Sequence, residues 1–155
     1  MDHLYVTEKR HGITINIYHD DNPIDPREDY NLGTMLCFHS RYTLGDKQTA
    51  LTIHNFSCWD EMESHIKEKL NAVIVMPLFL YDHSGISIAT YRHGQHGAWD
   101  CRKVGFIYVT KDKIKDNFGV KKVTKKIIEK TEKMLLSEVK TYNDYLTGNV
   151  YGYEL

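Results

Sequence analysis

The chain reads as an α+β protein, a single domain over residues 1–155. A mixed or mostly antiparallel sheet of about five to six strands is expected to pack with two main helices, near residues 58–70 and 124–146. Three observations carry that expectation. Apolar and polar residues alternate at 13–18, and dense β-branched or aromatic runs occupy 32–39, 73–81, 86–90 and 104–110, which is strand patterning. Apolar residues recur every three or four positions at Trp59, Met62, Ile66 and Leu70, and again along 127–146, which is helix patterning. A length of 155 residues, 41% of them hydrophobic, with a net charge of -1, supports one buried core and excludes disorder as the main state.

The elements follow in order. Residues 13–18 predict a strand with one buried face. Residues 19–31 hold two prolines and five acids and predict a loop, since neither a helix nor a ladder survives that composition. A second strand is expected at 32–39. Gly45 and Asp46 mark a turn, and residues 50–53 read as a short strand. Ser57 is expected to cap the first helix, with Asp60 at its third position and Glu61 in its first turn. Residues 73–81 are the most apolar run and predict a central strand, with a bulge or an edge at Pro77 because proline cannot donate to a ladder. Residues 82–85 turn the chain into a strand at 86–90. A loop over 91–100, rich in glycine and histidine, precedes a strand at 104–110. Thr110 is expected to cap a short helix ended by Gly119, and Thr124 the longest one, with Gly148 closing it and a last strand at 150–153.

Charge is unevenly spread. Residues 1–110 carry 10 basic and 14 acidic side chains, whereas residues 111–140 carry 10 lysines against 5 acids. The lysines form either a solvated helix face or a basic surface for phosphate or an acidic protein. The first twelve residues have no apolar run of the kind a secretory signal needs, and the longest apolar stretch, 72–81, is about half the roughly 20 residues of a membrane helix. Cys37, Cys58 and Cys101 fit neither a disulfide framework nor a zinc ribbon, so a reducing cytoplasm is expected.

Chemical motifs are sparse. Nine histidines invite a metal site, with His39, His83 and the pair His19 and Asp20 as corners, but no spacing brings three ligands together and no metal is expected. Asp82, His83 and Ser84 have the residue types of a hydrolytic triad, yet consecutive residues point to opposite faces. A turn in which Asp82 accepts backbone N–H groups explains them better. Residues 94–97 lack the lysine and helix of a phosphate loop. Two features suit binding. Asp20, Asp21, Asp25, Glu28 and Asp29 place five mutually repelling carboxylates in ten positions, either as a solvated loop or as a contact for a cationic partner. Eleven tyrosines, with Tyr142, Tyr145, Tyr151 and Tyr153 near the end, either complete a small core or supply an interface.

Four stretches carry a resemblance: residues 32–39 (LGTMLCFH), 77–85 (PLFLYDHSG), Trp99 with 104–109 (VGFIYV), and 142–152 (YNDYLTGNVYG). Together they resemble a family of small proteins encoded by phages and mobile elements of Gram-positive bacteria, from about residue 13 onward; residues 91–103 depart from its pattern. The family brings no established catalytic activity, so the resemblance implies no active site and no cofactor. Size and lysine content are similar to those of anti-CRISPR inhibitors of type II-A Cas9. That implies a non-enzymatic protein in the cytoplasm of a bacterial host. It would bind the Cas9–guide RNA complex stoichiometrically, with the acids at 20–29 as the contact, and without a membrane or direct nucleic-acid binding. Two alternatives stand beside it: a metal-dependent hydrolase or nuclease using His39, Asp82 and His83, and a nucleic-acid-binding regulator using Lys121, Lys122, Lys125, Lys126 and Lys130.

Overall fold

The expected helices and every expected strand but the one at 50–53 form, and the strands are divided between two sheets. The computed structural model describes residues 3–47, 51–92 and 100–155, and it is α+β with three α-helices and seven strands. Strands β1 (Leu4–Arg10), β2 (Ile13–His19) and β7 (Tyr151–Glu154) make a three-stranded antiparallel sheet in the order β1-β2-β7. Strands β3 (Thr34–Cys37), β4 (Ala72–Asp82), β5 (Ile86–Ala89) and β6 (Cys101–Thr110) make a four-stranded antiparallel sheet in the order β3-β6-β4-β5. The expectation of one sheet is thereby corrected.

The four-stranded sheet is the centre of the molecule because both its faces are apolar. Helices α2 (Lys111–Phe118) and α3 (Lys125–Leu146) cover one face, and α1 (Trp59–Glu68) covers the other. Alternation along the strands sorts the side chains: Met35 and Cys37 enter the larger core with Leu135, Val139 and Tyr142, while Leu36 between them enters the smaller one with Met62 and Ile66. Ile107 and Phe106 divide in the same way, and Trp59 meets Phe106 edge to face at 6.0 Å. Pro77 lies inside β4, opposite Phe106 of β6. It is tolerated because β5 pairs only Phe79 to Asp82, and the β4–β6 register slips between Leu78 and Phe79.

Caps set the helix limits. Thr110 accepts the Lys113 N–H, Gly119 leaves α2 in the left-handed region, and Thr124 accepts the Ile127 N–H. The first helix starts one residue later than expected. Cys58 is its N-cap, and Ser57 lies one residue before it, donating from backbone and hydroxyl to Glu61. Those bonds, the hydroxyl's foremost, hold the Glu61 carboxyl below its usual pKa. The expected strand at 50–53 does not form: Ile53–Asn55 is one turn of 3-10 helix, and Ala50 lies outside the described residues. His93, His96 and Trp99 lie outside them too. No helix among the described residues is long and apolar enough to cross a membrane.

Two acids of unusual reluctance sit in the larger core. Burial and then the charge of Asp46 push the Cys37 thiol up to about 12, with Arg27 opposing. Burial likewise pushes the Tyr142 phenol up to about 12, against the 2.9 Å hydrogen bond its oxygen accepts from the Gly45 N–H. The native state therefore holds protons that the unfolded chain releases, so stability falls as pH rises through the unfolded thiol's value near 9 toward 12. The thiol alone is expected to cost on the order of 2 kcal/mol by about pH 10.5. Thermal melts at pH 8 and 10.5 check it: Cys37→Ser should flatten the difference, and an unchanged midpoint in the wild type would refute it.

Candidate functional site

The acidic loop is built around a cation. Arg27, its side chain only 2% exposed, donates from Nε and Nη2 to the two oxygens of Asp46 at 2.7 and 3.1 Å. Its Nη1 reaches Glu138 at 3.0 Å and Nη2 the Gly33 carbonyl at 2.8 Å. Glu138 also accepts the Leu32 N–H at 2.8 Å, and Asp46 the Met35 N–H at 2.9 Å. One guanidinium so joins the loop, the start of β3, the turn at Gly45 and α3. Burial works against its charge, but the bonds and charges of Asp46 and then Glu138 outweigh burial and hold its pKa above the ordinary value.

This frame divides the five carboxylates expected to meet a partner. Asp25 turns inward and accepts the Arg27 N–H at 2.8 Å, and Asp20 accepts the Asn22 N–H at 3.0 Å. Glu28 is exposed and pairs with Lys47 at 3.2 Å, and Asp21 and Asp29 are exposed. The loop is a folded segment with some acids on its outside, not one uniform acidic patch.

His39 and Asp82 come together at one end of the four-stranded sheet, while His83 does not line the pocket they share. His39 follows β3 and Asp82 ends β4; although β6 runs between these strands, both residues line a polar pocket of about 190 Å³ with Arg41, Asp100 and Arg102. Asp82 does not cap the turn as expected. Its carboxylate pairs with Arg41 and accepts the Tyr42 hydroxyl at 3.2 Å, while the turn is closed by the His83 N–H to the Gly85 carbonyl. His83 faces Asp100 at 3.5 Å, and His39 stacks on Tyr42 at 4.9 Å. The Arg41 guanidinium thus engages the carboxylate that a metal-dependent hydrolase would use as a ligand. Among the described residues no group of three or more His, Cys, Asp or Glu could hold a metal ion.

The most unusual surface is the three-stranded sheet. Alternation along β2 predicts a buried face, yet no residue of β1, β2 or β7 is buried. Pairing aligns Val6 with Ile17 and Ile17 with Tyr153, so isoleucines at 13, 15 and 17 share one face with Val6, Tyr151 and Tyr153. Ile13 is 53%, Tyr5 60% and Tyr153 74% exposed. The rings of Tyr5, His19 and Tyr151 close into a cluster, with centroids 5.1, 5.0 and 4.6 Å apart, so His19 is part of an aromatic group and not a metal corner. Glu8, opposite Ile15 on the edge strand, stands on this face, and Asp20 is tied beside β7 by its N–H to the Val150 carbonyl at 2.9 Å. Glu154, opposite Asn16, belongs to the other face and accepts the Tyr18 hydroxyl at 3.3 Å. Arg10, the nearby guanidinium, is engaged by Glu8 at 3.1 Å.

Sequence reasoning found Tyr151 and Tyr153 but missed Tyr5 and Val6, because the residues before 13 carry no dense apolar run. The available signal was the turn: His11 and Gly12 both take positive φ, 52° and 82°, and a turn dipeptide followed by an alternating strand implies a preceding partner strand. No protein-family model, curated protein or solved structure matches the chain.

Proposed function

We propose that the protein is a stoichiometric binding protein that docks through the apolar face of the sheet β1-β2-β7 onto a basic surface of a partner protein. One observation carries this reading: an amphipathic sheet whose apolar face no described residue outside the sheet buries. Isolated apolar residues on a surface need no explanation, but a contiguous patch of aliphatic and aromatic side chains with a polar border is the composition of an interface. Tyr5, Tyr151 and Tyr153 are the expected anchors, since tyrosine buries a large area at small entropic cost. Asp20 beside the patch selects a cationic rim on the partner, and the exposed Asp21, Glu28 and Asp29 extend that charge along the loop.

A host defence nuclease of the Cas9 type is a partner of this chemistry. In that reading the protein works in the bacterial cytoplasm, without turnover and without a cofactor, by covering a surface the nuclease needs for DNA binding or for movement of its cleavage domain. The test is a DNA cleavage assay with the Cas9–guide RNA complex, together with calorimetry. Equimolar protein is expected to suppress cleavage, and the combined variant Tyr5→Ser, Tyr151→Ser, Tyr153→Ser is expected to lose at least about tenfold in affinity while melting like the wild type. Absence of a complex with the nuclease would refute the identification of the partner. A variant that binds as tightly as the wild type would refute the sheet as the docking face.

A further inference from the structure

Four lysines crowd the entrance to the longest helix. Lys121 and Lys122 lie in the connection from α2, and Lys125 and Lys126 open α3 behind its cap Thr124; all four are exposed. From 117 to 128 the chain carries these four cations and no carboxylate. A helix ordinarily places Asp or Glu in its first turn, where the aligned peptide dipoles favour negative charge, but α3 has none there. Some lysines of the surface have carboxylate or ring partners, while Lys9, Lys69, Lys111, Lys113 and Lys133 have none among the described residues, so it is the clustering of four cations without an intervening carboxylate that sets this corner apart. Lys47 meets Glu28, Lys67 meets Glu63, Lys115 meets Asp112, Lys140 meets Asp144, and Lys130 lies over the Phe118 ring. None of the four has such a partner among the described residues. Their mutual repulsion and the helix field oppose folding, and an external anion relieves both.

The surroundings choose the anion. No large apolar side chain is exposed between residues 111 and 133. A membrane-binding helix needs such side chains on its lipid face, and a protein interface needs buried anchors; this corner offers neither. Cationic heads on flexible stems suit a phosphate backbone, whose regularly spaced charges require no pocket. We propose that this corner binds nucleic acid through its phosphates, without sequence preference. The net charge of -1, which argues against such binding, is a sum over segments of different sign, with the positive excess confined to residues 111–140. The 22 residues of α3 span about 33 Å and lead away from the lysines into β7, so the site is separate from the docking sheet and does not depend on it.

The test is fluorescence anisotropy of the full chain with a labelled DNA duplex across a salt series. Four phosphate contacts predict a slope of log affinity against log salt of about -3 to -4, so each doubling of salt costs roughly tenfold. The fourfold variant Lys121→Gln, Lys122→Gln, Lys125→Gln, Lys126→Gln is expected to lose at least about tenfold in affinity. It should melt no lower than the wild type, because it removes repulsion and no packing. The tyrosine variant of the docking sheet should keep wild-type duplex affinity. The proposal is overturned by no duplex binding in low salt, by a slope shallower than about -1, or by undiminished binding of the lysine variant. Vesicles containing phosphatidylserine, or polyglutamate, binding as tightly as the duplex would overturn it as well.

Discussion

Arg27→Ala is expected to cost about 3–5 kcal/mol of folding stability, the largest polar effect in the molecule. The substitution deletes the cation that Asp46 and Glu138 close upon and leaves the Gly33 carbonyl without that donor. The two carboxylates would be left uncompensated in place, because each is also held by backbone N–H groups, Asp46 by Met35 and Glu138 by Leu32 and Gly33. Against a total of about 5–15 kcal/mol for a domain, the loss unfolds a large fraction of the molecules. Arg27→Lys should recover little, since an ammonium cannot reproduce the fork that reaches both oxygens of Asp46. Pairing Arg27→Ala with Glu138→Gln should restore part of the loss by neutralising one stranded charge. Urea titration followed by tryptophan fluorescence measures all three, and a loss under about 1 kcal/mol for Arg27→Ala would show the pair to be no more than a surface bridge.

Gly105→Ala is expected to abolish the fold by a steric route. Gly105 pairs with Cys37 of β3 and Leu78 of β4 in the middle of the sheet. A β-carbon there would lie 1.8 Å from the Leu36 carbonyl oxygen and 2.8 Å from its carbon. These are backbone atoms of a strand fixed in two cores at once, so no side-chain rotation makes room. The cost is expected to exceed about 4 kcal/mol, and the variant should not accumulate as soluble folded protein. Gly152→Ala is the control: a β-carbon at Gly152 meets nothing within 4 Å, and its melting midpoint should match the wild type. Comparable midpoints for the two variants would mean that β3 can retreat from β6.

Local signals were legible where they are self-contained. Thr110, Gly119 and Thr124 act within three residues of the groups they satisfy, so α2 and α3 stand where their caps predict. Pro77 announced an irregularity because the missing donor is a property of the residue itself. The partners of Arg27 were not legible. It sits among acids in sequence, yet its ligands Asp46 and Glu138 lie 19 and 111 positions away, and nothing local distinguishes a captured arginine from a solvated one. The division into two sheets was hidden for a related reason. Alternation along β2 correctly indicates an apolar face, but only the topology reveals that no layer among the described residues covers it. That face carries the proposed function, so the reading failed where its pattern served something other than the core. Asp82 was assigned to its own turn because a turn aspartate usually caps locally, and the competing claim of Arg41, which comes from another segment, lies beyond local chemistry.

The three-stranded sheet also dictates an order of assembly. The β1–β2 hairpin closes across two residues and forms from neighbours alone, whereas β7 joins β2 by pairing Ile17 with Tyr153, nearly the whole chain apart. A lone hairpin is marginal in water, and distant strands pair late because loop closure must come first. The third strand is delivered by α3, whose Val139 and Tyr142 are seated in the larger core and whose Asn143 accepts the Ile88 N–H at 2.8 Å. The complete three-stranded face therefore appears only on molecules whose interior has already set, and misfolded copies present a frayed ribbon in its place.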